Sequence, residues 1–342
     1  MVRKNHIKRT LIATILPMFI GSLCPYTRAD DIDIYVNPNA PTNAAPIVML
    51  TLDYRSNLGS TACNGAECDF FLAPTPVQYK DASNVDRNYL TKIGANYTFF
   101  DVLRASLKYV LQQVGPSGVR IGLAQSHNHD NNCTGPSASG CSNGGSVLIG
   151  APELGTQAQR DASYAKSESM PIPGGTVSHS YQGKELFFEL FRYFGGKPWF
   201  NMQNGWTDRG TDASFNIDQA NDYAPANADV PLSWDPGIVS GANYVSPVTD
   251  ACTKLYTINF MSQVSNQEDD SDSAITAAAN GGGMSGINLS GNNNKFSTVI
   301  RWMYDNDNQP SVAEKQNVIS YFFVDPTKIN TTKINTTKKP SS

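Results

Sequence analysis

Apolar residues recur along this chain at two spacings, and the spacings divide it into a short series of elements. Ile47 to Leu52 is an almost unbroken apolar run that stops at Asp53. A run of that length predicts a strand buried on both faces, as in a parallel sheet covered by helices. Phe99, Val102, Leu103, Leu107, Val110, Leu111 and Val114 then return at helical spacing. Thr98 followed by Asp101 supplies a capping box at the start of that helix, and Gly115 with Pro116 ends it. Val119–Ala124 predicts the next strand, with Val147–Ile149 returning beside it. A strongly apolar helix over 181–194 stops at Gly195 and Gly196, the usual left-handed exit.

Residues 197–250 break this alternation, being rich in Asn, Asp, Pro and Gly. A stretch that long inside a domain is functional or is an insertion with minor structure of its own. Leu255–Met261 resumes the sheet. A helix near 273–279, a Gly/Asn loop at 280–294, a helix over 296–304 and a strand over 318–324 complete the series. Strands alternating with helices of this length imply βαβ units and a mainly parallel sheet. The expected fold is one α/β domain over 30–325 with loop insertions at 126–145 and 197–250. The tail 326–342, with its repeated Lys-Ile-Asn-Thr-Thr unit, has no core-forming content and reads as disordered.

The amino-terminal 1–29 reads as a secretory signal peptide. Basic Arg3, Lys4, Lys8 and Arg9 precede an apolar core, and Thr27 and Ala29 suit a cut before Asp30. Leu23 is a poor lipobox residue before Cys24, so lipidation ranks below cleavage. No later stretch is apolar enough to span a bilayer, so no integral membrane segment is expected after cleavage. Charged residues make up 16% of the chain, against the usual ~25%, and the net charge is −4. With no basic stripe, nucleic acid is not an expected partner. In an exported chain, Cys63 with Cys68 and Cys133 with Cys141 read as local disulfides. No Cys-x-x-Cys spacing supports a zinc alternative, and Cys252 is left over.

Several of these features together resemble one family. They are the signal peptide, the strand ending at Asp53, and Gly174, Gly175 and Thr176 before helix 181–194. The Phe194-Gly195-Gly196 exit, the segment from Cys252 to Asp270 and the closing strand over 317–324 complete them. Their order and spacing resemble the von Willebrand factor A-like domain in the amino-terminal half of the PilC/PilY proteins of type IV pilus biogenesis. The resemblance covers residues 30–325. Family members generally continue into a β-propeller with a calcium loop, so the resemblance would describe a short relative or a truncated product. Propeller functions are not carried over.

The resemblance implies a Rossmann-like sheet and a metal site of the Asp-x-Ser-x-Ser kind, completed by a Thr and a later Asp. Asp53 matches the first position and Thr176 the threonine. Arg55 and Asn57 stand where the serines belong, and Met261, Ser262 and Gln263 where the last aspartate motif belongs. A guanidinium stays protonated and pairs with a carboxylate, so Arg55 is expected to occupy the cation's place beside Asp53. The expectation is a degenerate site without Mg²⁺ or Ca²⁺.

Other candidate chemistry is thinner. Glu268, Asp269, Asp270 and Asp272 read as a solvated acidic turn before a calcium turn. Asp305 and Asp307 begin an EF-hand-like run, but Pro310 stands where Gly is required. His127 and His129 read as part of a polar hairpin before a zinc pair. No Gly-x-Ser-x-Gly, His-Glu-x-x-His, P-loop or dinucleotide fingerprint is present, which argues against an enzyme. The expected function is protein–protein binding in pilus assembly or surface adhesion. The partners would be minor pilins or other assembly proteins, or a host or abiotic surface, with a periplasmic or cell-surface location. Loops 54–95, 126–145 and 197–250 are the expected recognition elements. Trp199, Phe200, Trp206 and Trp234 read equally as interface anchors or as pins that hold the insertion to the core. The alternatives are a metal-dependent exported ligand-binding domain unrelated to pili, and a secreted hydrolase.

Overall fold

Strand β1, Ile47–Asp53, lies at the centre of a five-stranded sheet. The computed structural model describes residues 45–53, 56–62, 68–72, 77–127, 144–168, 170, 183–199, 235–251, 253–261, 275–277, 279–280, 283–289 and 295–324. The remaining strands of that sheet are β4 (Arg120–His127), β5 (Gly144–Ile149), β8 (Leu255–Met261) and β9 (Val318–Val324). Two short hairpins stand apart, β2 (Gln78–Lys80) with β3 (Asp86–Asn88) and β6 (Val239–Ser240) with β7 (Asn243–Tyr244). Among the described residues, the helices are α1 (Asp69–Leu72), α2 (Phe99–Val114), α3 (Gln157–Glu168), α4 (Gly183–Phe194) and α5 (Lys295–Asp305), and 275–277 and 279–280 are also helical, where a helix was expected.

The sheet order is β5-β4-β1-β8-β9. All neighbours are parallel except the β4–β5 pair at one edge. This is a mixed α/β sheet flanked by helices, the arrangement expected from the alternation of elements. The antiparallel β5 follows from connectivity, because a hairpin return needs no crossover helix. The expected 126–145 insertion is shorter than its sequence boundaries, since β4 runs on to His127 and β5 begins at Gly144.

Alternation along β1 divides the core in two. Ile47 and Met49 face α4 and α5, with Phe187, Phe191, Leu255 and Val299. Leu52 and the half-buried Val48 and Leu50 face α2, with Phe100, Leu107, Leu111 and Ile121. Both faces of the strand are therefore covered by helices.

Helix α2 begins as its capping residues require. Thr98 accepts from the Asp101 amide while the Asp101 carboxylate accepts from the Thr98 amide, closing the box. Asp101 is fully buried and also receives Arg104 at 2.8 Å. The far end tightens into a 3-10 turn and leaves through Gly118 at φ 88°.

Helix α3 has no counterpart in the apolar periodicity, because the side it buries is polar. Arg160 donates to the Leu154 and Gly155 carbonyls, and the Tyr164 hydroxyl donates to Gln112 on α2. At its end Glu168 receives Lys108 Nζ at 2.5 Å and the Thr91 hydroxyl at 3.1 Å. The pair is asymmetric: Lys108 is 1% exposed and Glu168 41%. Burial pulls the Lys108 pKa down, against the attraction of Glu168. Burial pushes Glu168 upward, but the hydrogen bond and charge of Lys108 outweigh it and hold its pKa below the ordinary value. A depressed carboxylate contributes stability above its unfolded pKa and loses it as pH falls through the folded one. Glu168→Gln should therefore lower the melting temperature at neutral pH and flatten the acid limb below roughly pH 4.5. An acid limb unchanged in the variant would show that Glu168 is not the group responsible.

Much of the 54–95 segment is not a free recognition loop. Phe71, Tyr89 and Leu90 bury a third small core against Ala105 of α2. Tyr79 meets Tyr89 and Tyr164, each with ring centroids 5.0 Å apart, and Tyr89 meets Tyr109 at 5.4 Å. Cys68 is disulfide-bonded within this packed region. Cys63, Cys133, Cys141 and Cys252 lie outside the described residues, as do the signal segment, the 268–272 acidic turn and the tail.

Asp307 organises the turn after α5. Its Oδ1 accepts from the Gln309 and Gln316 amides, and Asn308 donates to the Met303 and Gln316 carbonyls. These residues brace the turn between α5 and β9.

Candidate functional site

Because β1, β4, β8 and β9 are parallel, their carboxyl ends gather along one edge. The chain leaves β1 for β4 on one side, while β8 and β9 extend the sheet on the other. The order thus reverses at the β1–β8 seam, where α/β sheets open a crevice. Asp53 closes β1 at that seam, in register with Ser126 of β4. Asn57 falls in the 3-10 turn Ser56–Gly59 that follows. Arg55 and Thr176 lie outside the described residues.

Beneath this rim is a polar layer that apolar patterning does not announce. Thr51 Oγ1 donates to Asn259 Oδ1 at 2.5 Å. Asn259 Nδ2 donates to Thr257 Oγ1 at 3.0 Å and to the Tyr321 carbonyl at 2.7 Å. Thr51, Thr257 and Asn259 are all fully buried. Satisfied buried polar groups of this kind give a rigid, specific core. They tie β1, β8 and β9 together two residues behind Asp53. The sequence signal was present as hydroxyl and amide residues at alternate positions of apolar strands.

Helix α4 overlies the same edge. Positions 53, 126 and 145 form one register row on its side of the sheet. A Cβ added to Gly145 would lie 2.3 Å from the Leu186 Cα, so the first turn of α4 rests directly on that glycine. The helix thereby brings its partially positive end to the carboxyl edge. Lys184 and Glu185 in this turn are both fully buried, with Nζ and Oε1 3.0 Å apart. Further along, Tyr244 donates to Glu189 Oε1 at 2.6 Å, and burial beside that carboxylate raises the Tyr244 pKa well above its ordinary value. Arg192 lies over the Phe188 ring, its centre 5.2 Å from the ring centroid, and burial lowers its pKa. The Ala151 amide donates to the Tyr193 hydroxyl at 3.0 Å, and burial pushes that hydroxyl to about 12. These charges and hydroxyls stiffen the platform from within.

By residue type, Asp53 and Thr176 keep oxygen-bearing side chains, while Arg55 and Asn57 stand at the two serine positions of the resemblance. Behind the rim, Thr51 Oγ1 and Asn259 Oδ1 are hydrogen-bonded to each other. Among the described residues, no group of three or more His, Cys, Asp or Glu side chains converges.

Of the four aromatics in the 197–250 insertion, Trp199 is described. It packs half-buried against the α4–α5 core, and its amide donates to the Ala242 carbonyl at 3.2 Å. Phe200, Trp206 and Trp234 lie outside the described residues. Phe260 and Phe323 were not singled out by sequence. They are 42% and 58% exposed near the same edge and stack with centroids 5.6 Å apart.

Among the described residues, no helix is long and apolar enough to cross a membrane. Compared with family models, with curated proteins and with solved structures, the chain matches none.

Proposed function

We propose that this chain is an exported, type IV pilus-associated protein built on a von Willebrand factor A-like domain, working by binding other proteins. Its role is in pilus assembly or in attachment, and it uses neither a bound cation nor catalysis. The observation that supports this best is the gathering of parallel strand ends at one edge, with the order reversal at β1–β8. Segments leaving residues 53, 127, 261 and 324 all start from that edge. Loops held on a rigid scaffold are where recognition is usually built. The buried Thr51–Asn259–Thr257 layer and the α4 cap keep the scaffold stiff beneath them. The pilus assignment itself comes from the sequence resemblance over 30–325.

Pili sheared from cells expressing the tagged chain should carry it into the pellet. Deleting its coding region should either abolish pili, which assigns it to assembly, or leave normal pili with poor attachment, which assigns it to adhesion. A chain that stays entirely in the soluble fraction, with piliation and attachment unchanged on deletion, would end this reading.

A further inference from the structure

Strand β9 ends the described sheet, and its sequence is suited to pairing with itself. We propose that β9 is a homodimer interface in which two copies join antiparallel, edge to edge, about a two-fold axis at Tyr321. This goes beyond the binding role of the loops and uses the lateral edge of the sheet.

Natural edge strands are usually guarded by charge, proline, a bulge or shortness. Strand β9 has none of these. Its residues are Val, Ile, Ser, Tyr, Phe, Phe and Val, paired with β8 in unbroken register over 318–324. No charged residue lies between Lys315 and Asp325. Self-pairing therefore sets no like charges opposite one another.

The two-fold also satisfies the pattern of faces. An axis perpendicular to the sheet keeps each face continuous only if a residue meets another of its own face. Centred on Tyr321, the pairing sets Ile319 against Phe323, Ser320 against Phe322 and Val318 against Val324. It uses the whole strand, and any other register allowed by the faces loses pairs. Phe323 gains Ile319 opposite and Tyr321 on the diagonal, contacts of the kind that stabilise antiparallel pairs.

The exposed rings are continuous with this edge. Phe322 is 39% exposed and rests on Phe187 and Phe296, while Phe323 is 58% exposed and stacks on Phe260. With Phe260 at 42%, the three rings leave roughly 280 Å² open per chain, taking ~200 Å² for a whole ring. A standard interface covers about 800 Å² per partner, so these rings supply about a third and the strand backbone with its flanks must supply the rest. That describes a concentration-dependent dimer with an aromatic centre.

Sedimentation of the full exported chain over a concentration series should show a monomer–dimer equilibrium. Phe323→Asp should raise the dimer dissociation constant roughly thirty-fold, while at concentrations where both chains are monomers its melting temperature falls only slightly, because the ring is mostly exposed and loses only its stacking on Phe260. Tyr321→Lys and Tyr321→Glu should each sediment as monomers, and mixing them should form a one-to-one heterodimer, since these positions face each other across the axis. A wild-type chain monomeric at every concentration would overturn the proposal. So would a dimer indifferent to Phe323→Asp, or the absence of a heterodimer on mixing.

Discussion

Gly145→Ala is expected to destabilise the domain by about 3 kcal/mol, at the upper end of what overpacking does. A methyl there would lie 2.3 Å from the Leu186 Cα and 2.8 Å from its Cβ. The nearest atom is helix backbone, so no side-chain rotation relieves the clash. Helix α4 must lift from β5, and with it every ring that fills the core between α4 and the sheet. The melting temperature should fall by roughly 5–10 °C in a domain of this size. Gly94→Ala is the control, since nothing lies within 4 Å of its added Cβ. A Gly145→Ala chain that melts with the wild type would mean that α4 does not sit on β5 at this point.

Lys184→Met should be as damaging, for an electrostatic reason. Lys184 and Glu185 are both fully buried, and neither Glu185 oxygen accepts a hydrogen bond among the described residues. The 3.0 Å ion pair is then what compensates the carboxylate. Removing one partner of such a pair typically destabilises by about 3–5 kcal/mol, because the other charge is left buried. Lys184→Met combined with Glu185→Leu measures how far the two residues act as a pair. Urea unfolding of the two single variants and the double completes the cycle. A single variant within about 0.5 kcal/mol of wild type, the range of a surface change, would show the pair to be solvated.

Where the stabilising unit was local, it could be read from residues alone. The capping box of Thr98 and Asp101 spans a single turn. The exit at Gly196 needs a positive φ, observed at 60°, and glycine adopts it without strain. Strands β8 and β9 declared themselves as apolar runs, and they lie where the runs do. Helix α3 and the β2–β3 hairpin escaped that reading because they have little or no apolar stripe. The helix is held by Arg160 and Tyr164 reaching polar partners, and the hairpin by its dock of tyrosines.

By itself, the amino-acid order determined the α/β class, the central strand that ends at Asp53, and the bounds of the strongest helices. Those follow from which side chains recur on one face, and recurrence is a property of neighbours along the chain. Only the tertiary structure decided that β5 runs antiparallel, that the strand order turns at the β1–β8 seam, and that Thr51 reaches Asn259 208 residues away. It also decided that Lys184 and Glu185, which look like ordinary first-turn surface charges, are sealed from water. Desolvation and strand adjacency depend on what packs on top, and what packs on top of a residue is set by segments far from it in the chain.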